Sequence, residues 1–158
     1  MGREIERKFL VVSDTWRESA DAVRMVQGYL SPGPPMSVRV RIEGNEASLN
    51  IKESLLEIGR AEFEYPIPVP DAEAMLERCV GQIVSKTRHR VRHGGHVWEV
   101  DVFEGDNAGL VVAEVELTSE TDVVILPPWV GREVSTDPRY RNTYLAEHPY
   151  VTWPEDDS

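Results

Sequence analysis

Six times along this chain two like charges stand two residues apart: Glu4/Glu6, Arg39/Arg41, Glu62/Glu64, Lys86/Arg88, Glu99/Asp101 and Glu114/Glu116. In five of the six the residue between them is apolar: Ile5, Val40, Phe63, Val100 and Val115. Residues i and i+2 of a strand share a face and lie about 6.5 Å apart. At an effective dielectric of about 20, two like charges at that spacing repel by roughly 2 to 3 kcal/mol. Water and salt would screen an exposed face, but a face shaped for stability mixes signs across neighbouring strands. Here each strand carries one sign. A sheet curled into a closed barrel with these faces inward gives the pattern a purpose, because acidic and basic strands then share one lumen and compensate each other.

The rest of the chain supplies the strands for such a barrel. The opening "REIERKFLV" alternates with period two, and so do "VRMVQGYL", "SVRVRIEG", "EASLNIKES" and "RAEFEYPIP", with turn residues at Pro32 to Pro35 and at Gly44-Asn45. These four read as an antiparallel meander. "QIVSKTRHRVR", "HVWEVDVFE" and "GLVVAEVEL" follow, the first two joined by Gly94-Gly95. Three helices are expected. The first is short, capped by Ser13 or Asp14; the second is "PDAEAMLERCV", closed by Gly81; the third runs from Asp137, its N-cap, to about His148. The fold class is α+β and mainly β: an eight-stranded antiparallel closed barrel with a few flanking helices. We assign residues 1–148 to one domain and 149–158 to a loose acidic tail.

Arginine and lysine rows facing a lumen suit a ligand rich in anionic oxygen, and paired carboxylates suit hard divalent cations such as Mg²⁺ or Mn²⁺. A polyphosphate held by metals and cations is the simplest occupant of a lumen carrying both. The outward apolar residues, among them Val38, Ile42, Leu49, Ile51, Tyr65, Trp98, Val102, Val115 and Leu117, need covering by the helices or by a second copy in a homodimer. Tyr29 and Trp98 are read as packing residues. The formal charge of -11 argues against a sequence-independent nucleic-acid binder. The single cysteine, Cys79, fits a reducing cytoplasm, and no apolar run has the length of a membrane span.

In this order, "EIERKF", "VRVRI", "LNIKES", "EFEYPI", "KTRHRV", "WEVDVFEG" and "AEVEL" resemble the CYTH superfamily of triphosphate tunnel metalloenzymes. The resemblance implies an eight-stranded tunnel that binds a linear triphosphate and hydrolyses or cyclises it with divalent metal. Carried over by position, it implies Glu4, Glu6 and Glu116 as ligands of the metal that grips the triphosphate. Glu62, Glu64, Asp101 and Glu114 are implied for a second metal and the attacking water. Lys8, Arg39, Arg41, Lys52, Lys86 and Arg88 form the implied phosphate cradle, and Lys8, Glu64, Lys86 and Arg88 the catalytic set. Arg90 is expected near the mouth, and Arg132 or Arg139 close to one tunnel end. Inorganic tripolyphosphate is the expected substrate. The alternatives are thiamine triphosphate, ATP cyclised by a class IV-type adenylate cyclase, and a noncatalytic sensor of polyphosphate or nucleotide.

Overall fold

The computed structural model describes residues 2–19, 21–53 and 59–154, with the backbone alone at 2–4, 18, 19 and 59. Nine strands form one antiparallel sheet: β1 (Gly2–Val11), β2 (Asp21–Ser31), β3 (Met36–Glu43), β4 (Glu46–Glu53), β5 (Gly59–Ile67), β6 (Val80–His93), β7 (His96–Phe103), β8 (Val111–Glu116) and β9 (Val130–Glu133). Their order is β5-β4-β3-β2-β6-β7-β8-β1-β9. The first half of β1 also pairs with β5, Gly2 opposite Glu62 and Ile5 opposite Gly59, which returns the sheet to its starting edge. Eight strands therefore close a ring. β9, a strand not expected from the sequence, lies on the second half of β1. A strand of four residues with one alternation gives too little periodicity to find.

Register puts the charged faces inside. Lys8 lies opposite Glu114, Arg88 opposite Asp101, Lys52 opposite Glu62 and Arg39 opposite Asn50, so one parity runs unbroken around the ring. The outer parity carries the apolar residues. Phe9, Val91, Trp98, Val100, Ala113, Val115 and Leu117 pack under Trp16, from the short 3-10 turn Thr15–Ser19, and under Trp129, which leads into β9. On the opposite wall Val40 and Ala47 pack under α1 (Val69–Leu76) through Ala72. The chain thus covers much of its own outer face, while Tyr65 stays 53% exposed.

Two helical expectations change. α1 ends at Leu76, because Val80 joins the sheet opposite Tyr29 and Gly81, at φ +70, lies within β6 rather than closing a helix. The closing helix is broken into a 3-10 turn, Pro138–Tyr140, and α2 (Asn142–Glu147). Arg141 between them is extended, and Asp137 caps the first piece by accepting from the Arg139 amide at 3.0 Å. The tail is not loose over 149–154. The Tyr150 amide donates to Asn107 at 2.8 Å, and Trp153 packs edge-on against Tyr140, Tyr144 and Tyr150. Tyr140, Leu145 and Ala146 cluster with inward-facing Val84, Phe103 and Val112, so the C-terminal segment stoppers one end of the barrel.

Trp98 is the keystone of the outer core, fully buried with ring centroids 5.6 Å from Phe9 and 5.8 Å from Trp129. Trp98→Ala is expected to cost about 3 to 5 kcal/mol, measured by urea unfolding, through lost burial and the cavity left behind.

Candidate active site

The lumen holds a cavity of about 200 Å³. Its cations are Lys8, Arg39, Arg41, Lys52, Arg60, Arg88 and Arg141; its carboxylates are Glu6, Glu62, Glu64, Glu99, Glu114 and Glu116. Basic residues of β3 and β4 form one neighbouring pair of strands, acidic residues of β7 and β8 another, and β1 and β5 each bring both signs.

Lys86 and Asp101 do not line the cavity. They are fully buried in the wall beneath it, where Lys86 Nζ donates to Asp101 Oδ2 at 2.6 Å. Arg88 donates to the same carboxylate from Nε at 2.7 Å and from Nη2 at 2.9 Å. Burial pushes the Asp101 carboxyl up, but Arg88 and Lys86 outweigh it and hold the group down at about 2. Burial also lowers Lys86, with Asp101 opposing. The Asp101 carboxylate thus accepts three charge-assisted bonds from two buried cations and does not line the cavity. Lys86 is likewise fully buried and lies outside the cavity lining, with Nζ on Asp101. Parity placed both residues inside; depth, which parity does not encode, separates them from the cavity.

The remaining basic row does reach the cavity. Arg41 donates from Nε and Nη2 to Gln27 Oε1 at 2.9 and 2.7 Å, and burial followed by the like charges of Arg39 and Arg88 lowers it to about 9, still protonated at neutral pH. Arg39 is 6% exposed, and its buried Nε has no hydrogen-bond partner among the described residues. Arg90 sits at the open end, 3.6 Å from Glu43 and 3.5 Å from Glu99. There the lumen widens into a vestibule lined by Arg41, Glu43, Glu46, Ser48, Glu64 and Pro66.

The acids form two groups. Glu62 and Glu64 each accept from Asn50 Nδ2, at 3.1 and 3.0 Å, and Lys52 approaches Glu62 at 3.5 Å. On the other wall Glu6 faces Glu116 across β1 and β8, and the Glu6 and Glu114 side chains meet within hydrogen-bonding distance. Burial would raise Glu114, but Lys8, Arg88 and Lys86 hold it well below the usual carboxylate range. Carboxylates this close need a shared proton or cation, and an all-oxygen donor set fits a hard divalent ion. Among the described residues no three His, Cys, Asp or Glu side chains already converge on one point. Glu4 lies in β1 opposite Arg60, and its side chain is outside the described part of the structure.

Several lining residues escaped the sequence reading. Asn50 and Ser37 are neutral and carry no charge-pair signal. Arg60 stands at the start of β5, two residues before the Glu62/Glu64 pair, so parity alone places it inward. Tyr29 packs in the core and also lines the cavity. Neither Arg132 nor Arg139 approaches it: Arg139 pairs with Asp137 at 2.8 Å and Arg132 reaches the Tyr140 hydroxyl at 3.5 Å. Arg141 takes that place, because the break in the closing helix turns it toward the barrel.

The CYTH domain model matches residues 2–147, and the chain belongs to that family. It is 43% identical over 156 residues to a protein of Acetivibrio thermocellus named inorganic triphosphatase, covering 98% of this chain and 100% of that one. A protein of Nitrosomonas europaea with the same name is 40% identical over 147 residues, 90% of this chain and 96% of its own. The crystal structure of the inorganic triphosphatase NE1496 superposes with a TM-score of 0.68 at 36% identity, covering 98% of both chains. No described helix is long and apolar enough to cross a membrane.

The folded value of Asp101 lies below its unfolded value of about 3.9, so its contribution to stability is complete above about pH 4 and is lost as pH falls towards about 2. Melting temperature should therefore drop across that window. Asp101→Asn should flatten the drop while costing about 3 to 5 kcal/mol near neutrality, because it strands two buried cations.

Proposed function

We propose that this protein hydrolyses inorganic tripolyphosphate to pyrophosphate and phosphate with the help of a divalent cation. The observation that carries the reading is the buried, unpartnered Arg39 Nε beside the desolvated Arg41 in a cavity of mixed charge. Desolvated guanidinium donors are costly unless an anion takes them up, and phosphate oxygens match their geometry. The names of the two relatives support the same substrate. A single cysteine accords with a cytoplasmic setting.

Phosphoanhydride cleavage asks mainly for positioning and charge neutralisation. Arg39, Arg41 and Lys52 bind the phosphate chain along the basic wall, and Lys8, fixed by the Tyr140 carbonyl at 2.9 Å, holds it from β1. Glu6, Glu114 and Glu116 would hold Mg²⁺ or Mn²⁺, whose charge, when bound, neutralises phosphate oxygens. Asn50 occupies Oε2 of Glu64, leaving Oε1 to orient a water and take its proton as the water oxygen bonds to phosphorus. The phosphorus bond to the bridging oxygen breaks, and Arg88 neutralises the charge that develops there. Lys86 acts through Asp101, which fixes the Arg88 guanidinium, so it is a positioning residue rather than part of the cradle.

Purified protein with Mg²⁺ or Mn²⁺ is expected to release phosphate from tripolyphosphate faster than from ATP or thiamine triphosphate, and chelation should stop it. Glu6→Gln should lower turnover on the order of 100-fold with an unchanged circular dichroism spectrum. Tight binding of tripolyphosphate without turnover in any divalent metal would instead identify a sensor.

A further inference from the structure

Arg141 is fixed in place from both sides. The Tyr140 carbonyl before it accepts from Lys8 Nζ at 2.9 Å, and its own carbonyl accepts from the Tyr144 and Leu145 amides, each at 3.1 Å. Its backbone is extended at φ −81 and ψ 145, so the residue links the 3-10 turn to α2. The side chain lines the main cavity beside those of Asn142 and Thr143. It also shares a smaller adjoining cavity with Arg60, Glu6 and Lys8.

Two guanidinium groups thus line the same small cavity at the stoppered end of the lumen. Arg60 has Glu6 at 3.3 Å, but no carboxylate among the described residues lies within ion-pair distance of Arg141. Burial is the largest influence lowering Arg141, and the like charge of Arg60 is the next. Glu6 opposes both influences, and an anion bound between the two guanidinium groups would offset their repulsion further.

We propose that Arg141, with Arg60, clamps the phosphate at the inner end of the bound chain and so makes the site select three phosphates over two. The proposal rests on the tripolyphosphate reading for its ligand and adds the residue that measures length. Lys8, bound to the Tyr140 carbonyl, stands at the stoppered end with Arg141, so a diphosphate held by Arg39 and Arg41 need not reach that end, whereas a triphosphate does. The C-terminal segment is then part of the binding site as well as its stopper.

The test compares calorimetric affinities for tripolyphosphate and pyrophosphate in wild type, R141Q and R141K. R141Q should weaken tripolyphosphate about tenfold, the value of one charge-assisted contact, and pyrophosphate less than about twofold. R141K should recover most of the loss. KM should rise with kcat within about threefold, and the melting temperature should not fall, since a like-charge contact is removed. Equal weakening of both ligands, or of neither, overturns the proposal. If wild type releases no phosphate from tripolyphosphate, the functional reading fails while the ratio of affinities still decides the role of Arg141. Should R141Q fail to fold, R141M, which keeps much of the apolar stem, carries the same comparison with the same two outcomes.

Discussion

Asp101 accepts hydrogen bonds from Lys86 and Arg88 in a part of the wall that water does not reach. Two cations stacked along one strand would repel at close range, and a carboxylate from the facing strand turns that repulsion into a three-body anchor. The lumen above it depends on this arrangement. With its guanidinium fixed on one side, Arg88 still reaches Glu99 at 3.3 Å and faces the cavity. Two of the charges, Lys86 and Asp101, are thus turned away from the cavity and hold Arg88 in place, while the rest of the pattern faces the lumen.

The parity of the charges was legible without coordinates, because alternation along a strand is a local property and like-signed pairs with apolar residues between them leave one reading once the sheet closes. The inward faces of a closed ring follow from it; that β1 meets β5 to close the ring does not. Depth was not legible. Lys86 and Arg88 look alike in the sequence, yet one is sealed beneath the cavity and the other lines it. The break at Arg141 was hidden for a different reason: "DPRYRNTYLAEH" has the cap, the proline and the spacing of one helix, and what interrupts it is the Lys8 ammonium, more than a hundred positions away, holding the Tyr140 carbonyl. Long-range hydrogen bonds of this kind override local propensity.

The chain is strongly acidic overall, yet its cavity presents slightly more cations than carboxylates among the described residues. The acids outside the cavity therefore set a repulsive background for any polyanion, and the attraction is confined to the lumen. Glu43 and Glu46 at the vestibule sharpen this contrast, since an anion meets their field before it meets Arg41.

Among the described residues the first strand alone has three neighbours: β5 on its first half, β9 on its second and β8 along the other edge. Glu6 and Lys8 meet Glu116 and Glu114 only when segments far apart in the chain are brought together. Contacts of that separation form late, after the loop entropy has been met. The ring and the site therefore assemble in one cooperative event. A chain still being synthesised, with β1 waiting for β8, leaves its charged rows in water and holds no half-built catalyst.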